Sequence, residues 1–339
     1  MYLICYGTRP ELIKLIPLIN KFKESDINFI TLFSGQHQDL IKDFYNLVEK
    51  PNIILQDVME KGQNLNSLVA KILNKMTEVF NNNYIEKVII QGDTSTSFAI
   101  ALSSFHHKKE IIHVEAGLRT FDKYSPYPEE MNRVMISRLA DIHLCPTTIA
   151  VENLKKEGII EKVFNVGNTV VDMFNFVSRN KHMNEFTKNI ISKNKDYILV
   201  TLHRRENRGE RMLDMWKQLN KINNIIYITH PSLPQVKEYF KSKLIEPVDY
   251  VSMVHLILNC KGIITDSGGL QEEAVCAGKK VLVCRNTTER PETINSGYGK
   301  LIDINIINNI DFLFEKDEKK IENPYGKNVC DKIIKLIKK

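Results

Sequence analysis

The chain has 339 residues, a formal net charge of +6, and 43% hydrophobic and 26% charged side chains. That balance excludes disorder and fibrous repeats and predicts two domains of ~100–200 residues each. No run approaches the ~18 apolar residues that cross a bilayer, Met1–Gly7 shows no basic leader, and the scattered lysines suit an anionic ligand without specifying nucleic acid.

In chain order, short apolar runs bounded by Gly or Asp predict buried parallel strands at 2–7, 28–35, 87–93, 111–117, 142–146 and 162–167. Apolar residues at helical spacing lie between them, as over 11–23 and 65–80. This alternation predicts an α/β fold, a parallel sheet covered on both faces. It lapses over 168–196, which reads as a helix and a linker. It restarts with strands at 197–201, 225–230, 262–266, 280–284 and 300–302. Two consecutive doubly wound units with a cleft between them are expected. Val329, Ile333, Ile334 and Ile337 predict a final amphipathic helix. The six cysteines, at 5, 145, 260, 276, 284 and 330, stand singly without CxxC. They predict reduced, buried thiols of a cytosolic protein, with neither a disulfide frame nor a zinc site.

Ligands of such sheets bind where strands end and helices begin. After the first strand, Gly7-Thr8-Arg9-Pro10-Glu11 offers Arg9 as a phosphate-facing guanidinium or as the solvated arginine of an ordinary turn. No GxGxxG follows, which argues against a nicotinamide dinucleotide. Asp93, after the third strand, reads either as a cap of the next helix or as a cleft carboxylate. Glu115 ends an otherwise apolar strand, where burial demands a partner; Arg119 and Arg133 are the candidates. A Pro-rich turn then feeds Glu129 and Glu130 into a first helical turn, where the dipole favours carboxylates. Acids from three places, Asp93, Glu115 and Glu129, thus converge on one sheet edge, which capping alone does not explain.

In the second half His203 follows a strand and can donate to a phosphate or transfer a proton, and His230 ends the next strand. Asp266-Ser267-Gly268-Gly269 is the strongest signal: a strand end, glycines that free consecutive amides, and a helix N-terminus. That is a pyrophosphate cradle, with Glu272 or Glu273 able to accept from ribose hydroxyls. Arg285 and Arg290 stand with two acids in the next such segment, 285–292, read as ligand contacts or as a solvated charged loop.

These segments resemble the non-hydrolysing UDP-N-acetylglucosamine 2-epimerase family almost end to end. The matching stretches are GTRPE at 7–11, GQH at 35–37, GDT at 92–94, HVEAGLRT at 113–120, YSPYPEEMNR at 124–133, GNTVVD at 167–172, HRREN at 203–207, DSGGLQEEA at 266–274, TTERPE at 287–292 and NPYG at 323–326. The resemblance implies two Rossmann-like doubly wound parallel-sheet domains, GT-B-like, with an interdomain active-site cleft. The first covers 1–168 and the second 169–324, and a C-terminal helix, 325–339, returns to the first. It implies Asp93, Glu115, Glu129 and His203 as catalytic residues. Ser267, Gly268 and Gly269 become diphosphate contacts and Glu273 the ribose ligand, with Arg9, Arg133, His230 and Arg290 also at the nucleotide sugar. Gln36 and His37 match a region that, in bacterial relatives, contacts a second UDP-sugar acting as an allosteric activator.

The resemblance further implies a cytoplasmic homodimer in cell-surface polysaccharide synthesis, with no cofactor, metal, nucleic acid or membrane partner. The implied reaction inverts C2 of a UDP-N-acetyl amino sugar, UDP-GlcNAc to UDP-ManNAc foremost, through loss of UDP and a 2-acetamidoglucal. The alternatives are another UDP-amino sugar (a diacetamido uronic acid or a 6-deoxy amino sugar), a hydrolysing 2-epimerase, and a GT-B glycosyltransferase. A silent UDP-sugar sensor has no use for three acids. The chain departs from the family in a shorter second domain around 195–250, in Pro-Ser-Leu-Pro after His230, and in Met253 where relatives often carry an aromatic.

Overall fold

A computed structural model describes residues 1–36, 44–60, 62–240, 243–316 and 322–338. The chain divides into two compact units, Met1–Met173 with Tyr325–Lys339, and Phe174–Pro324. Each is built on one wholly parallel sheet. In the first, β1 (Tyr2–Tyr6), β2 (Phe29–Phe33), β3 (Ile53–Ile54), β4 (Lys87–Gln91), β5 (Glu110–Val114), β6 (Ile142–Cys145) and β7 (Val163–Asn165) run in the order β3-β2-β1-β4-β5-β6-β7. In the second, β8 (Ile198–Thr201), β9 (Ile225–Ile228), β10 (Leu244–Ile245), β11 (Gly262–Thr265), β12 (Val281–Val283) and β13 (Gly299–Leu301) run in the order β10-β9-β8-β11-β12-β13.

The strands are rich in Ile, Leu and Val because both faces of a parallel sheet are covered by helices. Leu3 and Cys5 of β1 and Val88 and Ile90 of β4 join Leu68, Ile72 and Met76 of the helix Leu65–Asn82 in one core. In the second unit Ile198 and Val200 of β8 pack with Met212, Met215 and Trp216 of the helix Glu210–Leu219. All six cysteines are free, and five are buried.

Two strands, β3 and β10, escape sequence reading. Each has only two residues and lies at a sheet edge, too short to show a period. The stretch read as a helix and a linker is two helices, Val170–Asn180 and Glu185–Lys193. Asn184, one of the polar residues that suggested a linker, caps the second by accepting from Thr187 N at 2.8 Å. The tail helix Val329–Ile337 buries Val329, Cys330, Ile333, Ile334 and Ile337 within the first unit. Cys330 N donates to Asp172 Oδ2 (2.6 Å), Tyr2 Oη to Ile337 O (2.9 Å), and Lys21 pairs with Asp331 (2.7 Å). No helix among the described residues is long and apolar enough to cross a membrane.

The strand order decides where chemistry can sit. In each sheet the winding reverses once, with β1 flanked by β2 and β4, and β8 flanked by β9 and β11. At such a switch point the loops leaving adjacent strands part in opposite directions and open a crevice at the carboxyl ends. The loops concerned follow β1 and β4 in the first unit, and β8 and β11 in the second.

Beside the first crevice, His113 of β5 and His143 of β6 are register partners and almost fully buried. Burial foremost lowers their pKa values from 6.5 to about 3 and about 4. Both are neutral when folded, whereas the unfolded chain takes up their protons below about pH 6.5. Stability of this unit should therefore fall as the pH drops from 6.5 towards 4, by about 1.4 kcal/mol per pH unit for each histidine. Denaturant midpoints measured across that window check the slope, which His143→Leu should roughly halve.

Candidate active site

The turn after β1 opens the helix Arg9–Glu24, with Thr8 as its N-cap. Glu11, almost fully buried, accepts from Gly7 N (3.0 Å), Thr8 N (2.7 Å) and the Thr8 hydroxyl (2.7 Å). Its other oxygen accepts from the hydroxyls of Thr94 and Ser97, each at 2.7 Å. Burial raises the Glu11 pKa, and these hydrogen bonds work against that rise. One carboxylate thus ties the β1 turn to the β4 turn across the switch point. Arg9 stays at the rim, its guanidinium over the Phe44 ring at 5.5 Å. Gln36 Oε1 accepts from the Thr96 hydroxyl (2.7 Å), while His37 lies outside the described residues.

Thr94, not Asp93, caps the helix Ser95–His106, its side chain accepting from Ser97 N at 3.0 Å. Capping therefore does not account for Asp93. Its carboxylate instead accepts from Arg133 Nε (2.7 Å), and its backbone carbonyl accepts from Asn132 Nδ2 (2.8 Å). Arg133 also donates through Nη1 to Glu130 (2.6 Å), and Glu130 accepts from the amides of Thr120 and Phe121 at 2.9 Å each. Arg133, expected among the substrate contacts, is thus the cation that holds Asp93. His113 Nε2 lies 2.7 Å from Gly92 O and braces the same turn.

Glu115 is buried and its backbone lies in the left-handed region, at φ +68°. A non-glycine residue there costs about 1–3 kcal/mol. Its partner corrects the expectation from sequence. Arg119 is taken by Glu157 (2.6 and 2.9 Å), and Arg133 by Asp93 and Glu130. Glu115 instead pairs with Lys14 of the first helix and accepts from Gln91 Nε2 at 3.0 Å. Lys14 was hidden among lysines, yet it falls on the buried stripe of Glu11, Leu15 and Leu18, an available signal. Glu129 opens the helix Glu129–Leu139, half-buried.

In the second unit the crevice lies between the turns after β8 and β11. Asp266, fully buried, accepts from His203 N (3.0 Å), Arg204 N (2.9 Å) and Asn207 Nδ2 (3.0 Å). The rings of His203 and His230 stack at 4.8 Å with 16° between planes. Burial, then the His203 charge, lowers the His230 pKa. Ser267 precedes the helix Gly268–Cys276 and makes no side-chain cap bond, so its hydroxyl does not serve the helix end. Segment 285–292 is no solvated loop: Arg285, Glu289, Arg290 and Glu292 are all buried. Arg290 Nε donates to Glu272 (2.6 Å), its Nη1 meets Glu289, and Arg285 Nη1 donates to Glu289 (2.7 Å). Of the two ribose candidates, Glu272 is therefore committed to Arg290. Glu273 is buried one residue further along the helix. Met253 is half-buried on the helix Tyr250–Asn259.

The two glycines serve different ends. A Cβ on Gly268 would fall 2.6 Å from Arg290 Nη1, whereas a Cβ on Gly269 would meet nothing within 4 Å. Gly268 makes room for the guanidinium; Gly269 faces open space that an anion can enter. Gly269→Ala should keep the wild-type unfolding midpoint yet weaken binding of the diphosphate expected from the sequence at this turn by about tenfold, because the added methyl group enters the space that the anion would occupy. Titration calorimetry checks this, and unchanged affinity would remove the turn from the site.

A family model described as UDP-N-acetylglucosamine 2-epimerase matches residues 20–338. A UDP-N-acetylglucosamine 2-epimerase of Campylobacter jejuni is 39% identical, over 99% of this chain and 96% of its own. Among solved structures, UDP-GlcNAc 2-epimerase from Neisseria meningitidis bound to UDP-GlcNAc superposes with a TM-score of 0.89 at 32% identity, covering 100% of both chains. The Methanocaldococcus jannaschii enzyme in complex with UDP-GlcNAc and UDP gives 0.88 at 33% identity, covering 100% of this chain and 99% of its own. The two parallel-sheet units are accordingly GT-B-like.

Proposed function

Because this chain belongs to the UDP-N-acetylglucosamine 2-epimerase family, and so is an isomerase, we propose that it inverts C2 of a UDP-N-acetyl amino sugar without hydrolysis, UDP-GlcNAc to UDP-ManNAc. The observation that carries this reading is the pair of acids leaving adjacent strands. Asp93 follows β4 and Glu115 follows β5, each beside a fixed cation, Arg133 or Lys14. The Neisseria and Methanocaldococcus enzymes hold UDP-GlcNAc, which supports the substrate class.

The C2 proton has no neighbouring carbonyl, so a base alone cannot remove it. The C1–oxygen bond breaks first, its electron pair leaving with the diphosphate, and positive charge spreads over the ring. A carboxylate then takes the C2 proton, forming the C1–C2 double bond of a 2-acetamidoglucal. Protonation of C2 from the opposite face and return of the diphosphate oxygen to C1 complete the inversion. Asp93 and Glu129 transfer the protons, one on each face, and Glu115 tunes that exchange. In the second unit the amides at Ser267–Gly269 stabilise the leaving diphosphate, Glu273 holds the ribose, and His203 donates near the departing oxygen. Water must stay out, or the glucal is lost.

Turnover in heavy water tests the reading. The expected product carries deuterium at C2, with UDP still attached. Product free of deuterium overturns the proton exchange, and accumulation of free N-acetylmannosamine with UDP overturns the non-hydrolysing course.

A further inference from the structure

To act at a departing diphosphate, His203 needs its ring held in one orientation. His203 sits in the turn after β8, with its side chain one-third exposed. A ring there needs support to present one particular nitrogen. Directly beneath it Asp266, at the end of β11, has no solvent exposure. Three donors fill its carboxylate: His203 N (3.0 Å to both oxygens), Arg204 N (2.9 Å) and Asn207 Nδ2 (3.0 Å). Asn207 is itself anchored to Cys284 O at 3.0 Å, so the carboxylate has little room to turn. The His203 Nδ1 atom stands 3.6 Å from Asp266 Oδ1. The His230 ring covers one face of it.

We propose that Asp266 is the positioning residue of His203: the buried carboxylate holds the histidine backbone and keeps the ring proton on Nδ1. Which imidazole nitrogen carries the proton is set by what the other nitrogen faces. An anionic acceptor beside Nδ1 favours Nδ1–H in the neutral ring. It also steadies the imidazolium that forms when Nε2 carries a proton for the leaving group. Asp266 touches no reacting atom in this role. It acts on the chemistry only through His203, and the three backbone and amide donors hold its carboxylate in place.

The proposal rests on the epimerase reading for its consequence, but its core is measurable without turnover. In the whole chain, 15N-labelled at histidine, long-range 1H–15N spectra near pH 8 report the tautomer, with His203→Asn identifying the ring. Nδ1–H as the dominant His203 form is expected, and Asp266→Asn should shift the ring towards Nε2–H. A wild-type ring already protonated mainly on Nε2 overturns the proposal, and that reading requires no variant to fold. In the kinetic arm, Asp266→Asn should lower kcat by about 10²-fold with KM within about threefold. Adding it to His203→Asn should cost little more, because the two act as a unit. Full additivity would show a merely structural aspartate and overturn the positioning role. A wild-type protein that leaves C2 untouched but shows the Asp266-dependent tautomer would sink the epimerase reading and leave the positioning intact.

Discussion

Asp93→Asn is expected to lower turnover by about 10³-fold while leaving uridine diphosphate affinity and the unfolding midpoint close to wild type. The separation follows from how the turn is built. Thr94 caps the following helix, and Glu11 bonds Thr94 and Ser97, so neither task falls to Asp93. An asparagine oxygen still accepts from Arg133 Nε, which now lies 2.7 Å from the carboxylate. The fold therefore survives while the ability to take up a proton is lost. A steady-state assay on UDP-GlcNAc beside calorimetric titration with UDP checks both halves. Normal turnover would reduce Asp93 to an ion-pair partner of Arg133.

Lys14→Met is expected to destabilise the first unit by about 3 kcal/mol, because removing one member of a buried pair leaves the other charge desolvated. Lys14 and Glu115 are each less than one-tenth exposed, and Glu115 would keep the Gln91 amide as a weaker partner. The double variant Lys14→Met/Glu115→Gln should recover much of that loss, since both members of the pair are then neutral. Chemical denaturation of the single and double variants gives both figures. A single variant within about 0.5 kcal/mol of wild type would mean that water reaches the pair.

Most strands were legible because a buried parallel strand is a short run of β-branched and aliphatic residues bounded by turn formers, a pattern confined to a few neighbours. The same holds for the glycine turn after β11 and for the tail helix, whose apolar stripe repeats within nine residues. Reading failed where the local signal was ambiguous or absent. Asn184 looks alike in a linker and as an N-cap, and two-residue edge strands carry no period.

Within the candidate site the residue types were readable, but their partners were not. That acids follow strands in the first half and a glycine turn follows a strand in the second is written in contiguous sequence. That Glu115 is matched by Lys14, 101 residues away, rather than by nearby Arg119 or Arg133, came only from the tertiary structure. The same is true of Asp266 reaching back 63 residues to His203, and of Arg290 filling the space that Gly268 leaves. The physical reason is one of range. Backbone conformation answers to neighbours within a turn or a strand, whereas a buried charge pairs with whatever group the strand order carries beside it. With β1 set between β2 and β4, and β8 between β9 and β11, distant segments become the nearest neighbours of each charge.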